Sequence, residues 1–473
     1  MALLGLNTLS VRLSVVAVGL VTIWLIYKLA RAWFKDEGVA LLATGLATIS
    51  SWHFFMSRAG YSQAMYGLML LLAGTYMMLF SKKKAIGGIL LGLTSYSYPG
   101  YFFFLPIYLM ILAVVYGLKR EMLIAGLILA SAYIVFWGPN QLRAPGAVFF
   151  HGQESRIRFD WADKPAGERL AVGKNYDWGE QLLHRAEWGY GYETIMNYFE
   201  AWSPEFWLKK GRGFESNVPG FGNVLVYEPI LVAWGIGVLL WQRKKQGLIL
   251  VLWLVAGPAA SILTQGPAST KLLHMVVPIV ILEAVGIKSL AEKLIKLKPK
   301  VVGWTLMGLG LATVITTNAF YYEAYFRHFP YNSGLHWQLG YLDVVDFVEQ
   351  YPDKTVYWAA RGDFAYIFVL FRLKYDPAKF QREVQRSNYL DKNIISVDKL
   401  GRYNFVDSID WENLCADENA IYVAKTQDLT KPAGELPIDG YLKFPASYTW
   451  VYAITSEEKC SGKLEFDLPG KLF

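Results

Sequence analysis

The 473 residues are 54% hydrophobic and only 18% charged, with a mean hydropathy of +0.26, a balance rarely carried by a water-soluble chain of this length. The net charge of +7 does not point to nucleic acid, because most Lys and Arg of the short loops stand beside apolar runs, where they control topology. Two cysteines are too few for a zinc or iron–sulfur site, and no metal ligand set is readable.

A segment that crosses ~30 Å of hydrocarbon needs roughly 17–25 residues. In chain order the first such runs are Val11–Leu29, Gly38–Met56 and Gln63–Phe80. Ala85–Leu118 holds no charge and is too long for one span, so it is read as two, turning at Tyr96-Ser97-Tyr98-Pro99-Gly100. Met122–Trp137 follows. Residues 139–226 form a large loop rich in Trp, Tyr, Gly and charge. Pro229–Trp241 (extended by Val224–Tyr227), Gly247–Leu263, Leu272–Ile287 and Val301–Thr317 then bring the expected number of spans to ten.

Charge orients them. Lys28, Arg31 and Lys35, then Lys82–Lys84, Lys119 and Arg120, Arg243–Lys245, and Lys288 through Lys300 all fall on one side; the short loops of the other side hold only Arg58 and Lys271. The basic side is therefore expected to be cytoplasmic. This division predicts a membrane module over 1–320 and an extracytoplasmic domain over 321–473. Helix-like patterns in that domain (Leu342–Tyr351, Phe364–Arg372) alternate with strand-like ones (Thr355–Ala360, Ala420–Lys425, Tyr448–Ile454), so it reads as α/β or α+β. Cys415 and Cys460 both lie there, either as a disulfide outside the cytoplasm or as two free thiols. The same topology puts Met1 outside, ahead of the first span and without a signal peptide, which leads to the expectation that a preceding span is missing.

Gly5-Leu6-Asn7 through Val11-Arg12-Leu13, Ser57-Arg58, Gly92 through Gly100, Asn197-Tyr198-Phe199 with Ser203-Pro204-Glu205-Phe206, and Lys271 with Pro278 occur in an order that resembles the GT-C membrane glycosyltransferases. The likeness is to glycosyltransferase family 39 and its protein O-mannosyltransferase and aminoarabinose-transferase relatives. Residues 367–377 are similar to tails of some bacterial members. The resemblance implies a mainly α fold, a polytopic transmembrane helix bundle with a C-terminal extracytoplasmic domain. It also implies metal-independent, inverting transfer of a sugar from a polyprenyl phosphate to a protein, glycolipid or polysaccharide acceptor at the outer face of a plasma membrane. No cofactor is implied. The family's catalytic acidic residue belongs to a loop ahead of the point where this chain begins, so no residue here takes that role.

Such a transfer needs a carboxylate at the acceptor hydroxyl, a cation at the leaving phosphate and a groove for the prenyl tail. Arg58 is the first candidate for the cation, since a guanidinium fork grips phosphate at two points; the alternative is an interfacial arginine snorkelling to lipid headgroups. Lys271 is the second, with His274 one turn further on either as a site residue or as packing. Tyr96 and Tyr98 at the Pro-Gly turn line a lipid or sugar groove or belong to an aromatic belt. Arg156 and Arg158 in the large loop offer another phosphate site or a solvated surface. Trp188, Tyr190, Tyr192 and Trp202 stack on sugar or fold the loop onto the membrane. Glu283 sits inside a span, where a carboxylate is costly and should face a partner or cavity. The chain has no phosphate-cradling Gly loop and no nucleotide-sugar metal motif. A non-catalytic polysaccharide-assembly subunit or lipid flippase of the same fold is the alternative to a transferase, and a transporter is a third reading.

Overall fold

The computed structural model of the protein describes residues 5–59, 63–137, 186–211, 217–262, 266–334, 336–389, 394–429, 431–444 and 449–462. They divide into two compact units, one of Val11–Phe326 and one of Met1–Ser10 with Arg327–Phe473.

The first unit is helical. It contains α1 (Thr8–Phe34), α2 (Glu37–Ile49), α3 (Ser51–Arg58), α4 (Gln63–Phe80), α5 (Lys84–Leu93), α6 (Gly100–Tyr116), α7 (Arg120–Ala132), α8 (Ala186–Glu200), α9 (Glu228–Trp241), α10 (Lys245–Ala256), α11 (Val276–Leu294) and α12 (Lys300–Glu323). Five helical stretches are long and apolar enough to cross a membrane: Thr8–Phe34, Gln63–Phe80, Lys245–Ile262, Leu273–Leu294 and Lys300–Asn332. The pair α2 and α3 makes a sixth if taken as one bent span. This composition suggests a multi-pass membrane protein. The outward surface agrees with it: on α12, Val301, Trp304, Leu309 and Ile315 stay at least 60% uncovered. So large an apolar face is untenable in water and natural against lipid tails.

The run Gly38–Met56, expected to be a single span, is two helices bent by 57°. Ser50 causes the break. Its backbone leaves the helical region, and its hydroxyl caps α3 by accepting from the His53 N–H at 3.4 Å. The charge-free run Ala85–Leu118 breaks at the turn before Gly100, as expected. Where helices cross, glycine lets backbones touch. A Cβ on Gly235 of α9 would stand 2.0 Å from the Leu282 carbonyl of α11, and one on Gly286 would stand 2.3 Å from the Leu231 carbonyl.

The second unit is built on seven strands: β1 (Thr355–Ala359), β2 (Gln385–Tyr389), β3 (Ile394–Leu400), β4 (Tyr403–Val406), β5 (Ala420–Lys425), β6 (Gly440–Lys443) and β7 (Thr449–Ile454). Their order is β2-β3-β4-β1-β5-β7-β6. Central β1 runs parallel to β4 and β5; the other pairs are antiparallel. Helices α13 (Tyr341–Val348), α14 (Tyr366–Arg372) and α15 (Pro377–Glu383) accompany the sheet. Both faces are covered. Ile421 and Val423 of β5 join a core with Val344, Val348, Trp358 and Trp450, while Ala420, Tyr422 and Ala424 face a second core with Trp411, Leu414 and Val451. A strand buried on both sides reads as a continuous apolar run, as Ala420–Ala424 does. Of the alternatives left open for the cysteines, the disulfide is the one formed: Cys415 and Cys460 are bonded, their Cα atoms 5.6 Å apart.

Candidate functional site

The site is built in the membrane unit around α3. Its residues Trp52, His53, Phe55 and Met56 are buried, which anchors the helix and sends its last residue, half-buried Arg58, to the end of the element. There the guanidinium stands over three rings, Phe54 at 5.3 Å, Tyr325 at 5.3 Å and Phe326 at 5.1 Å. Rings attract the delocalised charge but leave the N–H groups to donate elsewhere. Among the described residues no carboxylate pairs with Arg58. Among the described residues the structure thus holds a cation in an aromatic cradle with no carboxylate on its donors.

The second group forms where the turn before α6 meets the loop before α11. Tyr98 donates its hydroxyl proton to Thr270 Oγ1 at 2.9 Å. A Cβ on Gly100 would lie 3.1 Å from the Lys271 carbonyl, so glycine permits this close approach. Lys271 is 7% exposed, and its ammonium reaches the Gly266 carbonyl at 3.5 Å. His274 stacks on Phe104 with centroids 3.7 Å apart, and its Nδ1 accepts from the Trp253 indole N–H at 3.2 Å. That bond assigns the proton of the neutral ring to Nε2. The chain therefore brings Tyr98, Lys271 and His274 into one neighbourhood. Tyr96 goes elsewhere: its hydroxyl lies 2.9 Å from Ser131 Oγ of α7. Arg156 and Arg158, together with Trp188 and Tyr190 as side chains, lie outside the described residues.

A buried polar network, not foreseen from the sequence, fastens the two groups. Trp52 Nε1 donates to the Ser269 carbonyl at 2.9 Å, tying the helix of Arg58 to the loop of Lys271. Ser269 Oγ donates to Asn217 Oδ1 at 2.7 Å, and Asn217 Nδ2 to Asn223 Oδ1 at 3.1 Å. Ser51 Oγ donates to the Asn223 carbonyl at 3.1 Å, and Tyr321 to the Ser51 carbonyl at 3.0 Å. Such a chain of satisfied polar groups rigidifies a dry interior. Its one sequence signal is the pair Asn217 and Asn223 just ahead of a predicted span. The members are far apart in the chain, so periodicity carries no trace of their pairing.

Beside this network lies a mainly apolar cavity of about 310 Å³, lined by residues including Trp202, Trp207, Leu208, Glu228, Ile236 and Ile279. Trp202 and Trp207 stack there with centroids 5.7 Å apart. Among the described residues no three His, Cys, Asp or Glu side chains gather as a metal site. No protein-family model matches the sequence, and no curated protein matches it.

Proposed function

We propose that the chain is a polytopic plasma-membrane glycosyltransferase of the GT-C type, transferring a sugar from a polyprenyl phosphate to a protein, glycolipid or polysaccharide acceptor. In this reading the membrane unit crosses ten times, the shorter helices α5, α6, α7 and α9 counting as spans, and the sheet unit is extracytoplasmic. The observation that carries it is the aromatic cradle around Arg58, which fixes the cation while sparing its N–H donors for the leaving phosphate. Lys271, joined to the same helix through Trp52 and Ser269, is the second cation. The apolar cavity beside Trp202 suits part of a prenyl tail.

The test separates binding from turnover. With the full chain in lipid nanodiscs, undecaprenyl phosphate is expected to bind more tightly than undecaprenol, and Arg58→Ala to weaken the phosphate alone by ~10–100-fold. Equal binding of phosphate and alcohol, or an Arg58→Ala variant that binds as the wild type does, defeats this reading. In the same nanodiscs the protein should transfer sugar from a polyprenyl-phosphate donor to an added acceptor; failure with every donor tried counts against the enzyme.

A further inference from the structure

The proposed transfer leaves a second buried cluster without a role. Glu283 lies within α11 and is 1% exposed; Glu228 opens α9 and is 4% exposed. Glu228 is near enough to act on Glu283 electrostatically, and both act on Tyr227. Glu228 Oε1 accepts from the Leu225 N–H at 2.9 Å. Asn318 of α12, 7% exposed, donates through Nδ2 to the Tyr227 hydroxyl at 3.0 Å and to the Val314 carbonyl at 2.9 Å. The remaining oxygens have no such match. Glu283 Oε1 and Asn318 Oδ1 are fully buried, with no hydrogen-bond partner among the described residues.

Two carboxyl groups buried together in an apolar helix packing must be neutralised, by protons or by a cation, since an uncompensated buried ion costs several kcal/mol. Among the described residues no Lys, Arg or His acts on either carboxyl. The surrounding groups, Tyr227 and Tyr322, are phenols. The cluster is made of oxygen groups, two carboxyls, an amide carbonyl and a phenol hydroxyl, of which Glu283 Oε1 and Asn318 Oδ1 are the unmatched ones. One proton engages a single acceptor pair and leaves the second carboxyl charged, whereas a hard cation can engage the remaining oxygens. Four side-chain oxygens are fewer than calcium takes, and soft transition ions want nitrogen or sulfur. Glu228 also lines the 310 Å³ cavity beside Trp202, which offers an approach.

We propose that Glu228, Glu283, Asn318 and Tyr227 form a binding site for a small, hard monovalent cation such as sodium, held inside the membrane unit, with one proton shared by the two carboxyl groups so that proton and cation together balance their charge. The ion joins α9, α11 and α12, so occupancy stabilises the fold at the place where Gly235 and Gly286 let two of these helices meet. The proposal stands independently of the transfer reaction.

The experiment uses the full chain in nanodiscs and follows thermal unfolding at constant ionic strength in sodium chloride and in N-methyl-D-glucamine chloride. Sodium is expected to raise the midpoint by about 2–4 °C or more. Both Glu283→Gln and Asn318→Ala are expected to fold and to lose the sodium dependence. Retention of radioactive sodium by the wild type, absent in either variant, provides a second readout that does not depend on unfolding. Equal midpoints in the two salts, or a sodium shift that persists in both variants, overturns the proposal. So does a midpoint that rises on acidification from about pH 8 to about pH 6 regardless of sodium, because both carboxyls then hold protons and no metal ion is bound.

Discussion

The two units bury their polar backbone by different means, and the contrast follows from the solvent each one meets. In the membrane unit large apolar side chains such as Trp304 and Leu309 face outward, while helices meet through glycine and through hydrogen bonds among Ser, Asn and Trp. In the sheet unit the large apolar groups go inward: Trp358 and Trp450 are fully covered, and Tyr341 packs within 5.6 Å of Trp358. Lipid gives no hydrophobic reward for helix association, so close approach and polar contacts carry it; water does reward burial, so the sheet unit is held by its aromatic core. The comparison teaches that one amino acid type has opposite weight in the two units. A tryptophan on the outer face of α12 is replaceable, and a tryptophan on β1 is not.

Four measurements break or sharpen that contrast. The largest effect is expected at Gly235, where any side chain meets the Leu282 carbonyl. Gly235→Leu should cost more than ~3 kcal/mol and abolish the monodisperse folded peak in gel filtration. Gly237→Leu, on the same helix with nothing within 4 Å of a new Cβ, should behave as the wild type. If both variants fold equally well, glycine contact is not what holds the membrane unit. Next, Trp358→Ala should destabilise the sheet unit by ~3–5 kcal/mol, seen as an earlier guanidinium transition by near-UV circular dichroism. Trp304→Ala, on the outer face of α12, should shift nothing comparable.

The disulfide comes third. It closes a 45-residue separation, for which the chain-entropy account gives about 4 kcal/mol. Reductant should lower the unfolding midpoint of the sheet unit and leave the membrane unit unchanged, since the chain's only two cysteines are in the former. Thiols that alkylate in protein isolated without reductant would place the sheet unit in a reducing compartment and reverse the proposed orientation.

The smallest effect is a pH dependence. Burial, and then the Glu349 carboxylate that accepts its proton, pushes the Tyr403 phenol above its ordinary value. The raised folded-state value means that the contribution is complete below about pH 10 and declines as pH rises beyond it. The sheet unit should therefore lose stability in strong alkali, and Tyr403→Phe should flatten that decline while costing about 1 kcal/mol at neutral pH. An unchanged alkaline slope would show that Tyr403 is not the group responsible.

The spacing of apolar runs located most of the helices, and the turn at Tyr96–Gly100 was legible because proline and glycine punctuate an uncharged stretch. The break at Ser50 was not legible: one serine inside an apolar run is compatible with a straight helix until its hydroxyl is seen capping the next one. Tyr96 and Tyr98 stand two residues apart in the same turn and look equivalent in sequence. A 3-10 segment sends one to Ser131 and the other to Thr270. Arg58 could be singled out as a rare charge on its side, but its cradle could not, because Tyr325 and Phe326 lie more than two hundred residues away.

By itself the sequence determined the class of solvent each region meets and the kind of local element it forms. Hydrocarbon demands long uncharged runs, and a strand covered on both faces demands a short continuous one, both of which are properties of neighbouring residues. Tertiary structure alone decided the rest. It bonded Cys415 to Cys460, tied Trp52 to Ser269, and set Glu228 beside Glu283 with Asn318 against Tyr227. Those are pairings between distant segments, fixed by which helix backbones approach closely enough to touch, and no local pattern encodes them.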